Sequence, residues 1–268
     1  MKKNNWIFLA GLVFLFACAT TGKKGTDSGK QLIVLSYNIH HGNPPTREAG
    51  FIDLDTIAAT IRSSGADLVA VQELDSVTTR NNKVDQLKVL ADILGMYYRF
   101  ERTIPYGGGA YGIGILSKFP LLETTSYELP NIEGIQTEPR KLLVAKVEVG
   151  GEPLYFGCTH FDFKNKEVKL AQARAFLQHL NPFSGNRVIV AGDFNAVPQE
   201  ESIQLIEGRY RSAGSPDAFT IPVLKPNKKI DYIFYTNSRL KRLQDSVLTT
   251  HSYGSDHLPI KAVFQLLP

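Results

Sequence analysis

Asp193 and Asn195 stand two residues apart in Gly192-Asp193-Phe194-Asn195, directly after the apolar run Val188-Ile189-Val190-Ala191. A short run of this kind, rich in β-branched residues, predicts a buried strand. Gly192 is read as the residue that lets the chain turn tightly at its end. On an extended backbone, residues i and i+2 face the same side, so the Asp193 carboxylate and the Asn195 carboxamide are expected to converge. Such a pair could orient a water and bind an oxyanion, because the carboxylate accepts a proton or hydrogen bond and the amide offers two N–H donors. Taken alone, Gly-Asp-x-Asn also reads as an ordinary strand-to-turn signal closed by Asx-turns. The case for chemistry rests on the residues around it.

Five further polar groups stand beside apolar runs: Asn38 after Tyr37, Glu73 in Gln72-Glu73-Leu74-Asp75, His160 in Thr159-His160-Phe161-Asp162, Asp231 in Ile230-Asp231-Tyr232, and Asp256 with His257. Each has a structural alternative. Asn38 could cap a turn, Glu73 could be a surface acid, His160 a satisfied core histidine, and Asp256-His257 a cap on the last strand. Loops at the strand ends of a buried sheet are where binding and catalytic groups gather. Six such groups, each at a strand end, favour one common site over six unrelated caps.

The elements that would position them are legible in outline. Apolar runs predict strands at 31–39, 67–71, 154–158 and 260–266, beside the one that precedes Asp193. Residues 97–149 read as short strands and turns, and Gly150-Gly151 as a two-residue hairpin joining Val149 to Leu154. Helical spacing predicts helices over 53–64, 85–94 and 166–180, with a shorter one near 199–206. In the first, Leu54, Ile57, Ala58 and Ile61 line one face and Gly65 is the stop. No internal repeat and no linker composition interrupts 31–268, which reads as one mixed α/β domain.

The chain has 268 residues, 43% of them hydrophobic and 21% charged, ample material for a core. Its first residues differ from the rest. Lys2 and Lys3 precede the apolar run 6–17, which is too short to span a bilayer and ends in Leu15-Phe16-Ala17-Cys18. This resembles a bacterial lipoprotein signal over 1–18, whose cleavage leaves Cys18 as a lipid-modified first residue; a plain secretory signal cut nearby is the alternative. Residues 19–30 read as a flexible tether. No Asp follows Cys18, which by the same resemblance points to an outer-membrane or periplasm-facing lipoprotein of a Gram-negative cell. Cys158 would then be the single remaining cysteine, and no intramolecular disulfide is expected. The formal charge of +4 drops to +2 once Lys2 and Lys3 are removed. That leaves no general basic field for nonspecific nucleic-acid binding.

The ordered set Asn38, Gln72-Glu73, Thr159-His160, Gly192-Asp193-Phe194-Asn195, Ile230-Asp231-Tyr232 and Ser255-Asp256-His257 resembles the endonuclease/exonuclease/phosphatase superfamily over nearly all of 31–268. The resemblance implies an α/β/β/α four-layer sandwich, with two mainly antiparallel sheets packed face to face and helices outside. It also implies metal-dependent hydrolysis of phosphate esters. That chemistry requires a neutralised phosphate, a water in line and a stabilised leaving alkoxide. Glu73 with Asn38 would supply oxygen ligands suited to Mg²⁺, with Mn²⁺ as a substitute and Asp256 as a further ligand. Asp193 would orient or deprotonate the water, while Asn195 and His160 donate to phosphoryl oxygens. Asp231 would hold His257 in the needed tautomer and favour its charged form. His257 would then serve as general acid/base or as electrostatic stabiliser, two roles the residues leave open.

Some positions depart from the superfamily pattern. His40 stands where apurinic endonucleases carry an acid, so a second metal is not expected there. Tyr111-Gly112-Ile113 replaces the Tyr-Gly-Asn of many relatives, removing one phosphate contact. Arg140 is a candidate phosphate clamp, since a guanidinium binds phosphate oxygens bidentately. Arg80 and Tyr111, with Asp85 and Gln86, are expected to border the pocket. Candidate substrates are phosphodiesters of lipid head groups or small metabolites and phosphomonoesters such as sugar or inositol phosphates. Nuclease activity ranks second, and a catalytically silent binding lipoprotein third. The expected form is a monomer attached to the membrane by a lipid on Cys18.

Overall fold

Both faces of the predicted strands are apolar, and in the computed structural model both faces are covered. It describes residue 1, residues 31–250 and residues 252–267. The expected signal segment beyond residue 1, Cys18 and the tether 19–30 lie outside the described residues.

In chain order the elements are β1 (Gln31–Asn38), α1 (Leu54–Ser64), β2 (Leu68–Ser76), α2 (Gln86–Leu94), β3 (Tyr97–Tyr106), β4 (Gly109–Ser117), β5 (Glu123–Leu129), β6 (Arg140–Val149), β7 (Glu152–His160), α3 (Lys166–Leu180), β8 (Arg187–Asp193), α4 (Glu201–Glu207), β9 (Arg211–Ser212), β10 (Asp231–Tyr235), β11 (Leu240–Val247) and β12 (Ile260–Leu266). They form two six-stranded sheets, ordered β11-β12-β1-β2-β4-β3 and β5-β6-β7-β8-β10-β9. Each sheet has one parallel pair, β1–β2 and β7–β8, and is otherwise antiparallel.

Strand alternation builds the layers. In β8, Ile189 and Ala191 face a central core shared with Val34, Ala70, Phe156 and Phe264 from both sheets. Val188 and Val190 point the other way, into an outer core with Phe176 and Ile203 of α3 and α4. On the far side, Leu35, Tyr37 and Val69 pack beneath Ile57 and Leu87 of α1 and α2. The result is the four-layer α/β/β/α sandwich that the resemblance implies.

Local signals set most boundaries. Asp53, Asp85 and Asn165 cap the first three helices by accepting from backbone N–H groups one turn on. Gly150 and Gly151 adopt φ of 68° and 82° between the paired residues Val149 and Glu152, closing the hairpin two residues earlier than predicted.

Two expectations are corrected. The second strand does not stop at Val71; it continues to Ser76 through a register shift between Val71 and Leu74. Glu73 sits in that bulge with φ 57°, which re-aims its side chain. Gly192 makes no turn, because β8 runs on through Asp193. A Cβ there would lie 2.3 Å from the Thr159 carbonyl oxygen, so glycine is required by the close approach of β7.

Candidate active site

Three of the expected residues stand in register across neighbouring strands. His160 ends β7 opposite Asp193, the last residue of parallel β8. Asp231 begins antiparallel β10, also opposite Asp193. Asn38 ends β1 in the other sheet, where it pairs with Gln72. The same edge of both sheets therefore delivers one cluster.

Asp193 is its centre. Its Oδ2 accepts from Asn38 Nδ2 at 3.0 Å, with His160 Nε2 at 3.6 Å and His257 Nε2 at 3.7 Å. Asn38 Nδ2 also lies 3.0 Å from Glu73 Oε1. His257 is fixed from behind, where its Nδ1 donates to Asp231 Oδ2 at 2.9 Å. Thr220 donates to the same Asp231 oxygen. Ser255 Oγ accepts from the His257 N–H at 3.2 Å and donates to the Asn38 carbonyl at 2.7 Å, tying the His257 loop to β1.

The segment after Asp193 is anchored by Phe194. Its fully buried ring lies 4.8 Å from that of Phe161 and 5.0 Å from that of Phe234, centroid to centroid. Asn195 is left-handed, with φ 49°, so the alternation of an extended chain does not apply to it. Its N–H donates to Asp193 Oδ1 at 2.8 Å and its Nδ2 to the Phe161 carbonyl at 3.1 Å. The Asx-turn is thus real, and it orients the Asp193 carboxylate.

Electrostatics follow from burial. Burial, with Asp231 beside it, lifts Asp193 to about 7. For His257 burial opposes the charge, but Asp231 outweighs it and takes the ring up to about 10. Burial, reinforced by Arg140 and His257, holds His160 well below the usual histidine range. The site therefore pairs a neutral imidazole, a charged imidazole and a carboxyl poised near neutrality.

The remaining candidates lie around this cluster. Arg140 is buried at 2% exposure; its Nη2 meets Glu138 at 3.2 Å, and its Nε has no protein partner. Arg80 clamps the fully buried Asp75 carboxylate through Nε at 2.6 Å and Nη2 at 2.8 Å. It also stacks over Tyr106, with Tyr111 farther off at 5.8 Å. Tyr111, Arg80, Glu73, His40 and His41 line a cavity of about 220 Å³. Asp256 is partly exposed, 4.0 Å from His40 Nδ1. Asp85 caps α2 rather than bordering the pocket. Gln86 is buried and holds the His41 carbonyl at 2.6 Å.

Several contributors escape the sequence. Thr220 lies in a stretch without periodicity, and buried Lys169 grips the Asn195 carbonyl at 2.7 Å from α3. His41, pushed down to about 4 by burial and by Arg80, adjoins Glu73. Among the described residues, two groups bring ligand atoms within 4.8 Å of one another: His40, His41 and Glu73, and Asp193, Asp231 and His257.

With this geometry in view, the relatives fall into place. The Escherichia coli K12 protein YbhP is 26% identical over 253 residues, spanning 87% of this chain and 96% of that protein. An endonuclease/exonuclease/phosphatase from Beutenbergia cavernae DSM 12333 shares the fold with a TM-score of 0.75 at 22% identity, over 88% of this chain and 72% of that one. The Bacteroides thetaiotaomicron mannosyl-6-phosphatase Bt3783 does so with a TM-score of 0.71 at 19% identity, over 87% and 99%. The model of the endonuclease/exonuclease/phosphatase family matches residues 35–257, and the chain belongs to that family.

Proposed function

We propose that this protein is a divalent-metal-dependent hydrolase of phosphate esters in which Asp193 orients and deprotonates the attacking water. The observation that carries the reading is the convergence of Asn38, His160 and His257 on one Asp193 oxygen. A carboxyl poised near neutrality is suited to accept a proton from water. His257, charged and braced by Asp231, faces the same point and stabilises negative charge on the phosphoryl oxygens or the leaving oxygen. Neutral His160 supplies an N–H donor beside it. Arg140, buried with an unpaired Nε and close enough to His160 to oppose its protonation, adds fixed positive charge.

The donor set fits a divalent cation at Glu73. Its carboxylate is half-buried, opens on the cavity and accepts one hydrogen bond from Asn38. Mg²⁺, or Mn²⁺ in its place, would there neutralise phosphate charge. Asn38 turns its nitrogen toward both carboxylates and its oxygen toward the His40 N–H at 3.0 Å. In this arrangement it spaces Glu73 from Asp193. Asp256, 4.0 Å from His40 Nδ1, would be the further ligand.

The substrate class is a small phosphodiester or phosphomonoester, and the protein acts as an exported monomer held to the membrane through lipid on Cys18. Support for that address is the sequence of residues 2–18 alone. The test is a hydrolysis panel on the full chain with and without chelator. It pairs bis(p-nitrophenyl) phosphate and p-nitrophenyl phosphate with sphingomyelin, inositol phosphates, DNA and RNA. Cation-dependent turnover of a small ester supports the reading. Cleavage of DNA or RNA in preference to every small ester would replace it with a nuclease, and silence on all of them would count against hydrolysis.

A further inference from the structure

We propose that His40, His41 and Glu73 form a site for a first-row transition-metal ion, which binds there more tightly than Mg²⁺. This rests on the reading of Glu73 as the cation ligand and changes the kind of ion it takes.

One ring nitrogen of each histidine and a Glu73 carboxylate oxygen lie within 4.8 Å of one another. Small side-chain rotations bring such a trio around one ion about 2.0–2.2 Å from each donor. The tautomer of His40 is fixed for the task. Its Nδ1 lies 3.0 Å from the Asn43 carbonyl oxygen, which can only accept, so the proton is on Nδ1 and the Nε2 lone pair is bare. Ligating histidines are held this way, with the other ring N–H donated to a carbonyl. His41 Nδ1 is buried without a hydrogen-bond partner.

The backbone supports the same assignment. His40, His41 and Glu73 have φ of 45°, 44° and 57°, a region few non-glycine residues enter, though His does so more readily than Glu. Strain of this kind persists where the surroundings hold it and clusters at functional sites. Here the holding groups are visible: Asn38 Oδ1 accepts from the His40 N–H at 3.0 Å, and Gln86 Nε2 donates to the His41 carbonyl at 2.6 Å. Gln86 Oε1 also accepts from the Asp75 N–H at 2.9 Å, fastening the bulged strand that carries Glu73. One set of amide side chains thus fixes all three donors.

Donor chemistry selects the ion. Mg²⁺ demands oxygen ligands and keeps its waters, whereas imidazole suits the later ions from Fe²⁺ to Zn²⁺. Two imidazoles and one carboxylate leave positions open toward the cavity, as in catalytic rather than structural metal sites. The Arg80 charge across the cavity is already countered by Asp75.

The full chain, stripped with chelator, is titrated with Co²⁺ and followed by visible absorption, with Mg²⁺ as competitor. One Co²⁺ should bind and resist roughly a hundredfold excess of Mg²⁺. His40→Gln and His41→Gln should each weaken Co²⁺ by at least about 10–100-fold, the loss typical when even a partner behind a ligand is changed, while Asp193→Asn retains it. As a readout free of any variant's folding, spin-echo modulation of the Cu²⁺-loaded wild type should show coupling to imidazole nitrogen that chelator abolishes. Equal affinity for Co²⁺ and Mg²⁺, or Co²⁺ binding lost in Asp193→Asn and kept in both histidine variants, overturns the proposal. None of these readouts needs turnover. A protein that binds Co²⁺ as described but hydrolyses nothing keeps this site and loses the proposed activity, and an Mg²⁺-driven hydrolase indifferent to both histidines does the reverse.

Discussion

Asn38 and Asp193 lie 155 residues apart and in opposite sheets, yet the Asn38 Nδ2 donates to Asp193 Oδ2 at 3.0 Å. The same nitrogen is 3.0 Å from Glu73 Oε1. One neutral amide therefore sits between two carboxylates that would otherwise repel, and it does so across the seam of the sandwich. The geometry of the site depends on how the sheets pack.

Replacing this bridge should be costly. A hydrogen bond to a charged group is worth about 1.5–3 kcal/mol, and each 1.36 kcal/mol is about tenfold in rate. Asn38→Ala should lower kcat/KM by roughly 10–100-fold while circular dichroism shows a folded protein. Asn38→Asp, which adds a third carboxylate, should be worse than Asn38→Ala. Wild-type kcat/KM in either variant would remove Asn38 from the account.

The Asp193 carboxyl should weaken the fold that holds it. Its ordinary value of 3.8 is lifted to about 7 by burial and by Asp231, so the folded protein keeps this proton to higher pH than the unfolded chain. Folding must then lose free energy as pH rises between those values. Asp193→Asn, close in shape and uncharged, should raise Tm at pH 8 by at least about 2 °C, the shift expected for about 1 kcal/mol in a domain of 150–250 residues. The gain should shrink toward pH 4. A Tm lowered at pH 8 would contradict it.

His257 makes a separate contribution at higher pH. Burial resists its charge and Asp231 overcomes that resistance, raising it from 6.5 to about 10. The stabilisation is complete below 6.5 and is lost as pH climbs through 10. Urea midpoints measured from pH 6.5 to 10 should fall more steeply for the wild type than for Asp231→Asn, in which the counterion is gone. Parallel curves for the two proteins would rule the ion pair out as their source.

Much of this was written locally in the chain, and some of it was not. The capping residues Asp53, Asp85 and Asn165 mark helix starts by their own chemistry, and α3 and β12 occupy the predicted residues. His160, Asp193 and Asp231 were legible because strand ends are read from where apolar runs stop. The bulge at Glu73 is set by pairing with β4, and the backbone of His41 is held by Gln86, 45 residues on, so neither is fixed by its sequence neighbours. Gly192 carries a turn signal, yet its reason is the Thr159 carbonyl on β7. The convergence on Asp193 likewise comes from register and sheet packing, not from the alternation expected to bring Asn195 beside it.

Arg80 lines the cavity, as expected, and also holds a buried partner. It forks onto Asp75, whose side chain is fully buried, so its loss strands a carboxylate. Leaving a buried acceptor without its partner costs about 1–3 kcal/mol, and more when the group is charged. Arg80→Ala should lower Tm by several degrees, and adding Asp75→Asn should recover much of the loss. A substrate clamp alone would raise KM and leave Tm in place.

The most direct measurement is kcat/KM on bis(p-nitrophenyl) phosphate for the wild-type chain and Asp193→Asn, both saturated with divalent cation. Loss of a positioned general base typically costs about 10²–10⁴-fold, and a drop of that size, with the variant folded and still binding cation, is the predicted result. Equal rates for the two proteins would place the chemistry elsewhere and contradict the account.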